Sequence, residues 1–140
     1  MIAQNVKISK NAVIQEDVII EEGVIIHDFA VIYSGTILKK GCEVYEHCVV
    51  GRYPTSPGST ARTLKSEYGK TVIGENTILC PSVVVYAGTA IGCHTLLGDF
   101  CSIREDCVVG DYCIISRNVS VNYETTIGNY TKIMDNSQDR

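Results

Sequence analysis

Three histidines, seven cysteines and a run of basic residues between positions 52 and 70 are the groups best suited to chemistry in this 140-residue chain. Imidazole titrates near neutral pH. A carboxylate that orients it makes it a base for an attacking amine or hydroxyl. His47 lies just before a stretch marked by Pro54, Pro57, Gly51, Gly58 and Gly69, and His94 follows Gly92 with Asp99 close behind. These two are the candidate bases. For every histidine, His27 included, a solvent-facing ring without a role is the simpler reading. Arg52, Arg62, Lys65 and Lys70 stand against Glu67 alone, a local charge of +3 in a chain of net charge −4. Such a cluster suits a phosphate-bearing ligand. The plainer alternative is a solvated loop that touches a neighbouring subunit. No Cys-x-x-Cys pair occurs, which argues against a zinc ribbon.

The element that must position these groups is a repeat of six. An aliphatic residue recurs at Ile2, Ile8, Ile14, Ile20, Ile26, Ile32, Leu38, Val44 and Val50. The series resumes at Ile73 and runs through Leu79, Val85, Ile91, Leu97, Ile103, Val109, Ile115, Val121 and Ile127 to Ile133. Four residues after each of these leaders the side chain is small, as at Ala12, Val24, Thr77 and Thr95. Neither the helical period nor simple alternation gives this pattern. A short strand plus a turn does, and three such units close a triangular coil of 18 residues. Gly74, Gly92, Gly110 and Gly128 each follow a leader at that spacing, which predicts one stacked corner where the backbone needs freedom. The walls become parallel sheets with coils about 4.8 Å apart, so six to seven coils make a prism of roughly 30 Å.

The expected fold is therefore all-β: one domain over residues 1–140, a parallel β-helix with an external loop at 51–72. Cys42, Cys48, Cys101, Cys107 and Cys113 fall in the small-residue register and read as packing groups. Cys80 and Cys93 lie off it. Residues just before the leaders point outward. Many are apolar: Val13, Ile19, Ile25, Val31, Ile37, Val49, Val72, Ile78, Val84, Leu96, Val108 and Ile114. Such a surface predicts self-association.

Composition narrows the function classes. No apolar run approaches the roughly 20 residues of a membrane span, and the first fifteen residues lack the plan of a secretory signal. An odd number of cysteines without an export signal fits a reducing cytoplasm. The acidic balance argues against nucleic acid or an anionic membrane as the main partner.

The hexapeptide pattern resembles the left-handed parallel β-helix of the bacterial hexapeptide-repeat acyltransferases. The left hand comes from that resemblance, since crossover connections ordinarily favour the right. The stretch I115-S116-R117-N118-V119-S120-V121-N122-Y123-E124 is similar to a run, I-Q-N-N-V-S-V-Y, of the nucleotide-sugar N-acyltransferases. The resemblance implies an acetyl or similar acyl group moved from acyl-CoA, the co-substrate, to an amino or hydroxyl group of a sugar or nucleotide-linked sugar. It makes Asn118 an active-site group that orients the acceptor, with His94 or His47 as base. It places Arg52, Arg62, Lys65, Arg117 and Tyr123 on the substrate side. It also implies a homotrimer, with the donor in the groove between two prisms and the acceptor near the external loop. Zinc enzymes resembling γ-class carbonic anhydrases share the family, but they need three histidines, two of them close in sequence. Here the gaps are 20 and 47 residues, so no metal is expected. The repeat ends soon after Ile133 with no cap. A shortened chain that folds and associates yet catalyses poorly, or a non-catalytic trimeric scaffold, is the alternative.

Overall fold

The structure, a computed structural model, describes residues 1–59 and 62–138. Their strands are two to four residues long and form three parallel sheets of seven, six and six strands. Wall I holds Lys7–Ile8, Ile25–Ile26, Glu43–Val44, Ile78–Leu79, Leu96–Leu97, Ile114–Ile115 and Lys132–Ile133. Wall II holds Val13–Ile14, Val31–Ile32, Val49–Arg52, Val84–Tyr86, Ser102–Ile103 and Ser120–Val121. Wall III holds Ile19–Ile20, Thr36–Leu38, Thr71–Ile73, Ala90–Ile91, Val108–Val109 and Thr126–Ile127. The chain visits the walls in the order I, II, III and repeats. The result is a left-handed parallel β-helix.

Register follows the sequence period. Leu96 pairs with Ile78 on one side and Ile114 on the other, one 18-residue coil away in each direction. Glu43 pairs with Ile78, 35 positions on, which is one coil of 18 plus an insertion of 17. The loop therefore leaves the stacking of later coils in register. Wall II continues as strand to Arg52 with a one-residue bulge at Gly51, since Val85 pairs with Val50 and Tyr86 with Arg52. Wall III restarts at Thr71.

The repeat leaders fill the axis. All are buried except Ile2, Ile8, Ile14 and Ile133, which belong to the end coils. The five in-register cysteines are fully buried, while Cys80 and Cys93 are half-buried. Burial pushes the Cys42 and Cys48 thiols up to about 12. The small register also has a polar task. The hydroxyls of Thr77 and Thr95 donate to the carbonyls of Gly92 and Gly110 at 2.6 and 2.8 Å. The thiols of Cys101 and Cys113 donate to Ser116 and Gly128 at 2.7 and 3.1 Å. Each bond ties a coil to a corner carbonyl of the next and satisfies a polar group the prism would otherwise bury.

The corners follow a rule of their own. The third residue after most leaders has a positive φ, as at Asp17, Asn76, Asn118 and Gly88. Asn, Asp and Gly take this conformation at low cost. Phe29, His47, His94, Phe100, Tyr112 and Tyr130 take it too, at about 1 kcal/mol each or more. Ring stacking offsets part of that. His94 stacks on Tyr112 at 4.9 Å between centroids, and Tyr112 on Tyr130 at 5.3 Å. Each such contact contributes about 0.5–1.5 kcal/mol.

The glycine column needs a correction. Gly74, Gly92, Gly110 and Gly128 are stacked on wall III, but none has a positive φ. What excludes a side chain at the first three is close approach. A Cβ on Gly74 would collide with the Gly92 carbonyl, and one on Gly92 with Gly110 and the Asp111 carboxylate. The coils stack so closely there that only a hydrogen fits.

The outward apolar residues are partly open, with Val13 53%, Val108 48% and Ile114 39% exposed. Among the described residues no helix is long and apolar enough to cross a membrane.

Candidate functional site

Three corners join the walls, and the candidate residues divide among them. The corner from wall I to wall II carries His47 and Asn118, on coils separated by those of Ser82 and Phe100. The corner from wall III to wall I carries His94. The corner from wall II to wall III carries the external loop. One chain thus does not bring His47, His94 and Asn118 together. His47 and Asn118 are three coil spacings apart along the axis, about 14 Å. All three nevertheless border wall I, and the loop stands at the vertex opposite that wall.

Wall I also presents a residue not selected from the sequence. His27 Nε2 lies 2.7 Å from Glu43 Oε2, and its Nδ1 lies 3.8 Å from Glu46 Oε2. Its ring stacks on Tyr45 with centroids 4.4 Å apart. Stacking and the carboxylate together fix the plane and direction of the imidazole. The ring is 30% exposed and lines an open cleft of about 550 Å³ with Ser9, Asp28 and Glu46. The Ser9 hydroxyl donates to Asp28 there. The signal for the pair was in the register. Ile25 pairs with Glu43 across adjacent coils, which puts His27 beside that carboxylate. By contrast, His47 is exposed and stacks on Phe29 at 5.3 Å, and His94 is exposed and stacks on Tyr112.

At the loop corner most of the cations meet carboxylates of their own chain. Arg62 pairs with Glu105, a side chain only 1% exposed, and its guanidinium sits 3.6 Å above the Tyr123 ring. Two of the residues selected as substrate-binding, Arg62 and Tyr123, are therefore in contact. Arg104 bonds the other Glu105 oxygen through Nε at 3.0 Å and lies 4.5 Å over Tyr86. Lys65 donates to Asp106 at 2.8 Å, and Lys70 to Asp17 at 3.3 Å. Arg52 is exposed at the end of its wall II strand. Between loop and prism lies a cleft of about 350 Å³ lined by Tyr53, Tyr68, Lys70, Asp17 and Ser34. Tyr68 packs edge-on against Tyr53 at 5.0 Å, and its buried hydroxyl has no partner among the described residues. Arg117 stands apart from the loop. It binds Asp135 through Nη2 at 2.8 Å, and its backbone N–H donates to the same carboxylate.

The sequence offered no sign that Glu105 would be buried, because its burial depends on where the loop lies down. Among the described residues no group of three His, Cys, Asp or Glu side chains is arranged to hold a metal ion.

Comparison with known proteins agrees with this architecture. The UDP-N-acetylglucosamine O-acyltransferase of Moraxella catarrhalis RH4 is similar, with a TM-score of 0.57 and 22% identity over 96% of this chain and 58% of its own. The acetyltransferase domain of PglB from Neisseria gonorrhoeae FA1090 gives a TM-score of 0.55 and 13% identity, over 96% of this chain and 51% of its own. The UDP-N-acetylglucosamine acyltransferase of Bacteroides fragilis 9343 gives 0.54 and 20%, over 100% of this chain and 67% of its own. The chain thus spans between half and two thirds of these proteins, and the likeness is one of fold. No curated protein sequence matches it. The family model described as bacterial transferase hexapeptide (six repeats) matches residues 1–34 and 88–123, together half of the chain. The protein belongs to the bacterial transferase hexapeptide family.

Proposed function

We propose that this protein transfers an acetyl or similar acyl group from acyl-CoA to an amino or hydroxyl group of a sugar or nucleotide-linked sugar. The observation that carries the reading is the His27–Glu43 pair, a carboxylate-oriented imidazole in an open cleft of a hexapeptide transferase. Nε2 faces Glu43, so Nδ1, with the Glu46 carboxylate 3.8 Å away, is the nitrogen that receives the acceptor's proton. The acceptor nitrogen or oxygen then attacks the thioester carbonyl. A new C–N or C–O bond forms, the C–S bond breaks, and the CoA thiolate leaves to take up a proton. Asn118 stands on the same edge of wall I but four coil spacings from His27, about 19 Å along the axis, so it does not reach an acceptor held at His27 of its own chain. His47 and His94 flank the same wall.

The loop with Arg52, Arg62 and Lys65 stands opposite wall I in its own chain. It reaches a wall I cleft only on a second copy, which supports a homotrimer with shared sites. The half-exposed apolar residues on the prism walls support the same assembly. Seven free thiols suit a cytoplasmic setting.

Calorimetry with acetyl-CoA, followed by turnover with an amino-sugar acceptor, tests the proposal. Binding is expected, and His27→Gln should lower kcat by about 100-fold or more while preserving the fold. Absence of any heat with acetyl-CoA would overturn it. The second reading is a non-catalytic scaffold. It is favoured by the pairing of Arg62, Lys65 and Lys70 with carboxylates of the same chain, and that same absence of heat would support it.

A further inference from the structure

The outer face of wall II changes character partway along the prism. In the column just before the leaders, Val13, Val31, Val49 and Val84 give way to Ser102 and Ser120. In the column just after the leaders, Arg104 and Asn122 stand beside them. An unbroken valine column would have packed as well on the pleat, so the two serines forfeit apolar contact on this stretch. They line, with Arg104, Asn122 and Gln138, a cleft of about 260 Å³.

Arg104 is built into this cleft. Its Nε is tied to the buried carboxylate of Glu105 at 3.0 Å, and its guanidinium plane lies over Tyr86. These contacts fix the group while its terminal amino groups make no hydrogen bond within the described residues. Glu105 is shared with Arg62, so one carboxylate stands between two guanidinium groups. The nearby Asp106 carboxylate is held by Lys65. A fixed guanidinium, two hydroxyls and a side-chain amide form a donor set that oxyanions recognise.

We infer that the wall II cleft at Ser102, Arg104, Ser120 and Asn122 is an oxyanion-binding site for a phosphoryl or carboxylate group. The site is separate from the wall I cleft and from the cleft beneath the loop. It does not depend on acyl transfer, because it is tested without acyl-CoA.

The test is calorimetric titration of the full chain with inorganic phosphate and, separately, with succinate. The native protein should bind one of them at one site per chain. Arg104→Gln should weaken that binding at least tenfold. Ser102→Val with Ser120→Val, which continues the valine column, should do the same without lowering Tm. Lys10→Gln, at a distant exposed lysine, should change nothing. Preference for phosphate assigns a phosphoryl ligand, and preference for succinate a carboxylate. Absence of binding to both anions, or binding that both cleft variants retain in full, would overturn the inference. Acyl-transfer activity can fail while this binding persists, and the converse also holds, so the two readings fall separately.

Discussion

The carboxylate of Glu105 is held beneath the guanidinium of Arg62, 43 residues earlier in the chain. This contact fastens the external loop to the prism, and it buries an acidic side chain that a bare corner would leave in water. A buried carboxylate that loses one of its cations is strongly destabilising. Arg62→Ala should therefore cost about 3 kcal/mol in chemical denaturation. The loop should also become a faster site of proteolysis. Lys65→Ala removes an exposed ion pair and should leave Tm nearly unchanged. Equal effects of the two substitutions would show that Glu105 does not anchor the loop.

Thiol chemistry should divide the seven cysteines into two classes. Five are fully buried in the small register, and Cys80 and Cys93 are half-buried. Burial also raises the Cys101 thiol, and it pushes Cys42 and Cys48 to about 12, so these sites hold little thiolate at neutral pH, whereas Cys80, though also raised, is open to reagent. Mass spectrometry after alkylation of the native protein should find label at Cys80 and Cys93 alone, with the other five reacting only after unfolding. Rapid native labelling of Cys107 or Cys113 would contradict the packing.

Two glycines should fail for different reasons. Gly92→Ala meets the backbone of Gly110 and should cost about 1–3 kcal/mol through forced separation of coils. Gly35→Ala has open space around it but a φ of +84°, so its cost is backbone strain of about 1–2 kcal/mol. Gly35→Asn should recover part of that loss, because Asn tolerates the left-handed region. Gly92→Asn should recover none. Urea denaturation of the four variants separates the two causes.

Acid sensitivity should be traceable to the last coils. The Arg117 side chain, and then its backbone N–H, hold the Asp135 carboxyl below its ordinary 3.8. A depressed folded value means the stabilisation is fully present above the unfolded value and is lost as pH falls through the folded one. The Arg117–Asp135 contribution should therefore be intact above about pH 5 and vanish in strong acid. Asp135→Asn should flatten the acid limb of Tm against pH by slightly lowering Tm in the neutral region while leaving the strongly acid values unchanged. An unaltered acid limb would count against the pair.

How much of this was legible depended on how far each feature obeys the repeat. The step from Ile20 to Ile127 told which side chains face the axis, because on a short strand side-chain direction is a local property. The same period placed the five in-register cysteines in the core and the valines of wall II outside. It also located the loop, as the one place where the count of six fails. His27 and Glu43 are an intermediate case. Their contact follows from the 18-residue coil, but it becomes visible only once one coil is laid on the next.

Other features were decided by the tertiary structure alone. The glycine column looked like a demand for unusual backbone angles and is instead a demand for room, since neighbouring carbonyls approach only after stacking. Phe29, His47, His94, Tyr112 and Tyr130, all at positive φ, gain their offsetting contacts from rings one coil away. Glu105 is buried because a loop without periodicity folds down over it. A six-residue rhythm fixes which face each residue occupies. It carries no information about the path of the segment that escapes the rhythm, and that path sets the charge pairing at the loop corner.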